Sequence, residues 1–248
     1  MEESQIKRYV VISTNNNPDY YFYAPYQEKA WNKLGWNLCV MCTNDVDTNQ
    51  LGLSSPGTIV VKLPMLNELR TETVAQASRL YAANYLPMDA LIMTCDMDLI
   101  PLSDYWNPDR NNITVYGHDL TDYSYFPMGY TAMLGSKWKE VMKCSYNTEA
   151  DMMRDATEYS YITMSKEWEQ WWNYDWTLLT DRLKRYNIDH KIRGRQSNGF
   201  AHGRIDRGNS MAMIQGELID AHCENNNVRH PDKINKFISL YESIYGTI

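Results

Sequence analysis

Apolar residues gather in short unbroken runs through the first hundred positions, and between those runs they recur at helical spacing. Residues 8–14 (RYVVIST), 36–43 (WNLCVMCT), 58–64 (TIVVKLP) and 89–95 (DALIMTC) are continuous apolar segments of strand length. Runs without alternation suit parallel strands covered on both faces. NNNPD at 15–19 predicts a turn, Ala24 to Leu34 predicts a helix, and Gly35 stands where that helix should stop. Residues 67–86 (NELRTETVAQASRLYAANYL) predict one long amphipathic helix of good helix formers. Such alternation of strand and helix makes βαβ units, hence an α/β fold with a mostly parallel central sheet and helices on both faces.

After residue 112 the pattern changes. Residues 112–119 and 129–136 predict strands, and 136–145 (SKWKEVMKCS) a short helix with Ser136 as its N-cap. Residues 175–187 predict a helix with Asp175 at its start, 190–195 and 216–223 predict strands, and 230–246 a closing helix with Pro231 in its first turn. No repeat, low-complexity tract or linker interrupts the chain. The expectation is one domain, 1–248, with unequal halves of about 1–112 and 113–248.

Charge and cysteine content narrow the function classes. A net charge of −7 and a pI near 5.3 argue against a sequence-independent grip on nucleic acid or anionic lipid. No run reaches membrane-spanning length, and the acidic start MEESQ lacks the features of a secretory signal. With five cysteines and no disulfide framework, a reducing, cytoplasmic setting is expected. Cys39 and Cys42 match a Cys-x-x-Cys pattern, but on a strand residues three apart face opposite ways. They are expected to be buried strand cysteines.

The chemistry concentrates at LIMTCDMDLIPL, 91–102, where Asp96 and Asp98 interrupt an apolar run. Open parallel sheets bind ligands beyond the carboxyl ends of their strands, which is where this pair falls. In an extended segment Asp96 and Asp98 would face the same way, with Met97 turned aside. Two close carboxylates repel unless a cation sits between them, and oxygen ligands suit Mg²⁺ or Mn²⁺ sharing its shell with substrate phosphates.

At this point the chain resembles glycosyltransferases of the GT-A fold, which hold a metal–nucleotide-sugar complex with an Asp-x-Asp motif. ALIMTCDMDLIPLSDYW has the family's order of strand, Asp-x-Asp and apolar segment. TNNNPDYY resembles its nucleotide-binding start, FPMGYTAMLGSKWKEV its Gly-containing strand and helix, and LIDAHC the late strand that supplies a metal-binding His. The compact size is also similar to that of glycosyltransferase domains encoded by large DNA viruses. The resemblance implies a sugar moved from a nucleotide-sugar, with a UDP-sugar favoured, to a glycan, glycoprotein or other hydroxyl acceptor. It implies Asp98 as main metal ligand, Asp96 beside it, His222 as remote ligand and Mn²⁺ or Mg²⁺ as the cofactor. His118, His202 and His230 compete with His222, and Asp220 is placed to orient it. For an inverting reaction Asp175 is the expected base, ahead of Glu158 and Asp181, although a capping carboxylate would have a low pKa.

Thr14, Asn15, Asn16 and Tyr20 or Tyr21 lie where a base and ribose would dock, and Arg79 is placed to reach phosphate or sugar. Trp171 and Trp172 are candidate acceptor platforms. Arg193, Arg195, Arg204 and Arg207 fall in a Gly-containing stretch suited to closing over a diphosphate. Two other readings compete. A metal-dependent nucleotidyltransferase would want an early Gly-rich basic loop, which STNNNPDYY lacks. A silent carbohydrate-binding module would leave the Asp-x-Asp without a purpose.

Overall fold

The structure, a computed structural model, describes residues 6–64, 70–118, 125–144, 151–152, 155, 174–191, 203–205, 217–223 and 231–247. Four parallel strands form one side of its main sheet: β1 (Arg8–Thr14), β2 (Asn37–Thr43), β3 (Ile59–Leu63) and β4 (Leu91–Thr94). The sheet continues through β7 (Thr131–Leu134), β6 (Ile113–Tyr116) and β8 (Ile188–Lys191), giving the order β3-β2-β1-β4-β7-β6-β8. β7 runs antiparallel to both neighbours, and β8 is parallel to β6. The sheet is therefore mixed, with parallel pairs in the majority, and strands from both halves of the chain share it. β5 (Leu99–Pro101), β10 (Asp220–His222) and β9 (Arg204–Ile205) make a second, three-stranded sheet.

Each face of the main sheet covers its own core. Tyr9, Val11, Cys39 and Met41 point to one face; Val10, Ile12, Leu38, Val40 and Cys42 point to the other. Cys39 and Cys42 are thus buried on opposite faces, as period-two alternation requires. Burial pushes their thiols up to about 12 and about 11, so neither is a ready thiolate.

Local chemistry explains where helices begin and end. Asn17 caps α1 (Pro18–Tyr21) by accepting from the Asp19 amide at 3.0 Å, and Pro18 fits its first turn. The predicted turn at 15–19 thus becomes one turn of helix. α2 (Ala24–Lys33) stops at Gly35, whose φ of 77° suits glycine, and the Trp36 amide closes back on the Trp31 carbonyl at 2.9 Å.

The helix expected over 67–86 divides. α3 covers Thr71–Ser78, and Arg79–Asn84 tightens into a 3₁₀ segment. Arg79 to Ala83 are all buried, so this stretch is enclosed rather than amphipathic, and packing decides its winding. Ser136 is not an N-cap. α4 (Gly135–Met142) starts one residue earlier, and its first amides donate to the carbonyls of Ala90 and Met88, both at 2.8 Å. Those carbonyls replace the hydroxyl that a cap would supply. α5 spans Tyr174–Leu183, and α6 (Pro231–Tyr245) closes the chain by seating Tyr241 and Tyr245 on the carbonyls of Tyr26 and Pro101.

Candidate active site

Beyond the carboxyl ends of β1 and β4 lies a cleft of about 280 Å³. It gathers Thr14, Asn15, Tyr20, Arg79, Asp96, Asp98, Asp175 and His222 from five separate stretches of the chain. Asn16 is exposed and is not among the lining residues. Trp171, Trp172, Glu158, His202, His230, Arg193, Arg195 and Arg207 lie outside the described residues.

The Asp-x-Asp segment is a turn, not an extended strand end. The Leu99 amide donates to the Asp96 carbonyl at 3.2 Å, and β5 starts at Leu99. Met97 is not turned away from the cleft but joins its lining with both aspartates. The turn is possible because Gly129 packs against it: a Cβ there would lie 2.7 Å from Leu99 Cδ1 and 3.2 Å from Asp96 Oδ2. Next to it, Tyr130 adopts a φ of 74°, an unusual conformation for a non-glycine residue, while its ring stacks on Trp106 at 3.8 Å.

The cation nearest Asp96 belongs to the protein. Arg79 Nη1 contacts Asp96 Oδ1 and donates to the Cys95 carbonyl at 3.1 Å, while Nη2 donates to Asp175 Oδ2 at 3.0 Å. One buried guanidinium therefore bridges two carboxylates. Asp175 lies inside the first turn of α5, 1% exposed, and its Oδ1 accepts from the Trp176 amide at 2.8 Å. The low pKa expected of a cap is not found. Burial pushes the Asp175 carboxyl up to about 7; Arg79 pulls it down, and the charge of Asp96 adds to the rise.

Asp98 faces His222 instead, with Oδ2 3.5 Å from Nε2. Two donors each about 2.1 Å from one ion, at 90–110°, lie about 3.0–3.5 Å apart. Asp98 and His222 are spaced as neighbouring ligands, with Asp96 on the same turn. Among the described residues no group of three or more His, Cys, Asp or Glu side chains is placed to hold a metal ion. The Asp98–His222 pair offers one imidazole nitrogen and one carboxylate oxygen, a mixed donor set that suits Mn²⁺ better than the all-oxygen shell of Mg²⁺.

Other candidates lie elsewhere. Asp220, two residues before His222, takes Arg204 on its carboxylate in a two-pronged pair at 3.0 and 2.7 Å. That pairing also occupies Arg204. His118 stacks on Phe126 and His190 beside a separate cavity of about 470 Å³. Asp181 forms an ion pair with Lys184 and is not among the cleft residues. Sequence reasoning missed Ser13, Glu72, Ala75 and Gln76, which also line the cleft, as does Trp176. Glu72, Gln76 and Arg79 follow i, i+4, i+7 spacing, a polar stripe that could have revealed them.

No protein-family model and no curated protein matches the chain. Solved structures do. The chain is similar to the galactosyltransferase LgtC in complex with donor and acceptor sugar analogues, with TM-score 0.53, 14% identity and 97% of each chain covered. An active-site mutant of LgtC gives 0.55 at 13% identity, again over 97% of each chain. The glycosyltransferase GlyE of Streptococcus pneumoniae TIGR4 gives 0.46 at 15% identity, over 75% of this chain; the chain spans only 45% of GlyE. The LgtC matches establish a GT-A-like α/β fold.

Proposed function

We propose that this chain is a metal-assisted glycosyltransferase that moves a sugar from a nucleoside-diphospho-sugar, a UDP-sugar by preference, to a hydroxyl of a glycan or glycoprotein. The observation that carries this reading is the meeting of Asp96, Asp98, His222, Arg79 and Asp175 in one cleft on a glycosyltransferase-type fold.

Asp98 and His222 are the residues that would hold Mn²⁺ or Mg²⁺, with Asp96 alongside. A divalent ion there supplies neutralising charge for the diphosphate as it departs. Thr14, Asn15 and Tyr20 line the β1 end of the cleft and receive the nucleoside. Asp175 takes the proton of the acceptor hydroxyl as its oxygen bonds to the anomeric carbon and the bond to the diphosphate breaks. A carboxyl poised near neutrality is suited to that work, since a base is most effective when its pKa lies near the working pH. This assignment makes the reaction inverting. Arg79 holds Asp175 and Asp96 at a fixed separation.

A thermal-shift panel of UDP- and GDP-sugars, with and without Mn²⁺, tests the reading. A ligand at a hundred times its dissociation constant adds about 2.7 kcal/mol to stability. Stabilisation that needs both nucleotide and Mn²⁺ supports it, and no response anywhere in the panel removes it.

A further inference from the structure

Every backbone carbonyl of the Asp96–Leu99 turn is held by a donor from another part of the chain. Gln27, in the middle of α2, has no accessible surface, and its Nε2 points into this turn. It lies 3.2 Å from the Asp96 carbonyl, 2.9 Å from Met97 and 2.8 Å from Leu99. The carbonyl it does not reach, that of Asp98, accepts from the Cys223 amide at 2.7 Å. The two donors come from opposite ends of the chain: Gln27 from α2, the second helix after β1, and Cys223 from the residue after His222.

The amide orientation of Gln27 is fixed. Trp31 Nε1 donates to its Oε1 at 2.8 Å, one helical turn along α2, so the NH₂ end must face the turn. Two amide hydrogens serve three carbonyls, so at least one is shared. No other side chain meets these demands. A carboxylate would set oxygen against three carbonyl oxygens, a lysine could not accept from the indole, and methionine has the length but neither donor nor acceptor.

Resting on the function proposed above, we infer that Gln27 is a positioning residue that sets the Asp96–Asp98 turn for a metal-chelated nucleoside diphosphate. Gln27 touches no substrate. It acts by fixing the peptide planes that carry the two aspartates, so that Asp98 stays opposite His222 and both carboxylates open on the same cleft. The role is that of an outer-shell partner, which orients a ligand-bearing group without binding the ligand itself.

The test uses Gln27→Met, which keeps length and burial and removes the hydrogen bonds. UDP binding is titrated in MnCl₂ well below the melting temperature, and exchange of the Leu99 amide is followed without ligand. Gln27→Met should raise the UDP dissociation constant in MnCl₂ by about 10–100-fold, the usual scale for an outer-shell partner, and should speed Leu99 exchange. Glu28→Gln is the matched control. Its parent is the next residue in α2, buried, and accepts from the amide of Ser54 and the hydroxyls of Ser54 and Thr58, away from the cleft. That variant should lose stability yet keep wild-type affinity.

A folded Gln27→Met protein with affinity within about twofold of wild type and unchanged Leu99 exchange overturns the inference. If Gln27→Met does not fold, Trp31→Phe removes the donor that orients the amide, along with part of an indole packed against Trp36, Trp106 and Tyr130, so its stability is measured beside its affinity. It should weaken UDP binding in MnCl₂ to a lesser degree, and unchanged affinity overturns the inference equally. Wild type that binds neither UDP nor GDP in MnCl₂ would instead remove the proposed function, and Leu99 exchange would still decide whether Gln27 holds the turn.

Discussion

Arg79 and Asp175 are 96 positions apart in the chain, yet Nη2 of one lies 3.0 Å from Oδ2 of the other with both side chains buried. The same guanidinium contacts Asp96. One positive charge is therefore shared by two carboxylates, and full ionisation of all three would leave a net negative charge in a buried place. A proton on Asp175 relieves that excess. Burial is the main reason its carboxyl is pushed up to about 7 despite a cationic neighbour, and the charge of Asp96 adds to the rise.

Removing the cation should be costly, and more so at high pH. Arg79→Met leaves Asp175 buried without its ion-pair partner, and breaking a buried pair costs about 3–5 kcal/mol. Urea unfolding at pH 8 should show a loss on that scale, and at pH 5 a smaller one, because Asp175 can be neutral there. An equal loss at both pH values would mean that the carboxyl does not titrate in this range.

Asp175→Asn separates catalysis from stability. Donor binding should survive, while transfer falls by ~10²-fold or more, the scale of a lost general base. In wild type, transfer should rise through about pH 7 as Asp175 loses its proton. Normal transfer in a folded Asp175→Asn protein would reduce the residue to a partner of Arg79, and the reaction would then need another base or none.

The same carboxyl predicts a pH dependence of stability with a definite sign. The unfolded chain releases this proton near 3.8 and the folded chain near 7. Between those values the folded state holds a proton that the unfolded state has lost. The contribution to stability is fully present below 3.8, declines as pH rises, and is gone above about 7. Wild type should therefore lose stability relative to Asp175→Asn across that window in paired urea titrations. Parallel profiles would contradict the raised pKa.

Gly129→Ala should disturb the Asp-x-Asp turn directly. The added methyl meets Leu99 Cδ1 and the Asp96 carboxylate. Overpacking of this kind costs about 1–3 kcal/mol. UDP affinity in Mn²⁺ should also fall, because Asp96 must move aside. A variant as stable and as tight-binding as wild type would show that the turn has room to give.

Much of this architecture is legible from hydrophobic pattern because β1, β2 and β4 are covered on both faces and read as unbroken apolar runs, whereas β3 is an edge strand with Val60 and Lys62 exposed. Gly35 marked the end of α2 for a local reason, its left-handed φ. The antiparallel place of β7 was not legible, since strand direction follows from connections rather than from side chains. The start of α4 was misread at Ser136 because the carbonyls of Met88 and Ala90 that satisfy its amides are distant in sequence. At the site, the position of Asp96 and Asp98 at a strand end could be read directly. His222 beside Asp98 was also within reach of sequence reasoning, but the pairing of Asp96 was not: Arg79 reads from sequence as a residue for phosphate or sugar, and only the fold shows it buried between two carboxylates. Gln27 gave no signal at all, because a lone glutamine on a helix is ordinary until its three carbonyl partners are known.

The central claim is that Asp98 serves a metal-dependent transfer of sugar from a nucleotide donor. Its most direct test is Mn²⁺-dependent release of UDP from a panel of UDP-sugars, measured for wild type and for Asp98→Ala of verified fold. The account predicts release with at least one donor in wild type, dependent on Mn²⁺, and a fall of about 10²-fold or more in Asp98→Ala, the scale of a lost charge-stabilising group. Undiminished release by Asp98→Ala, or no metal-dependent release from any donor by wild type, would contradict it.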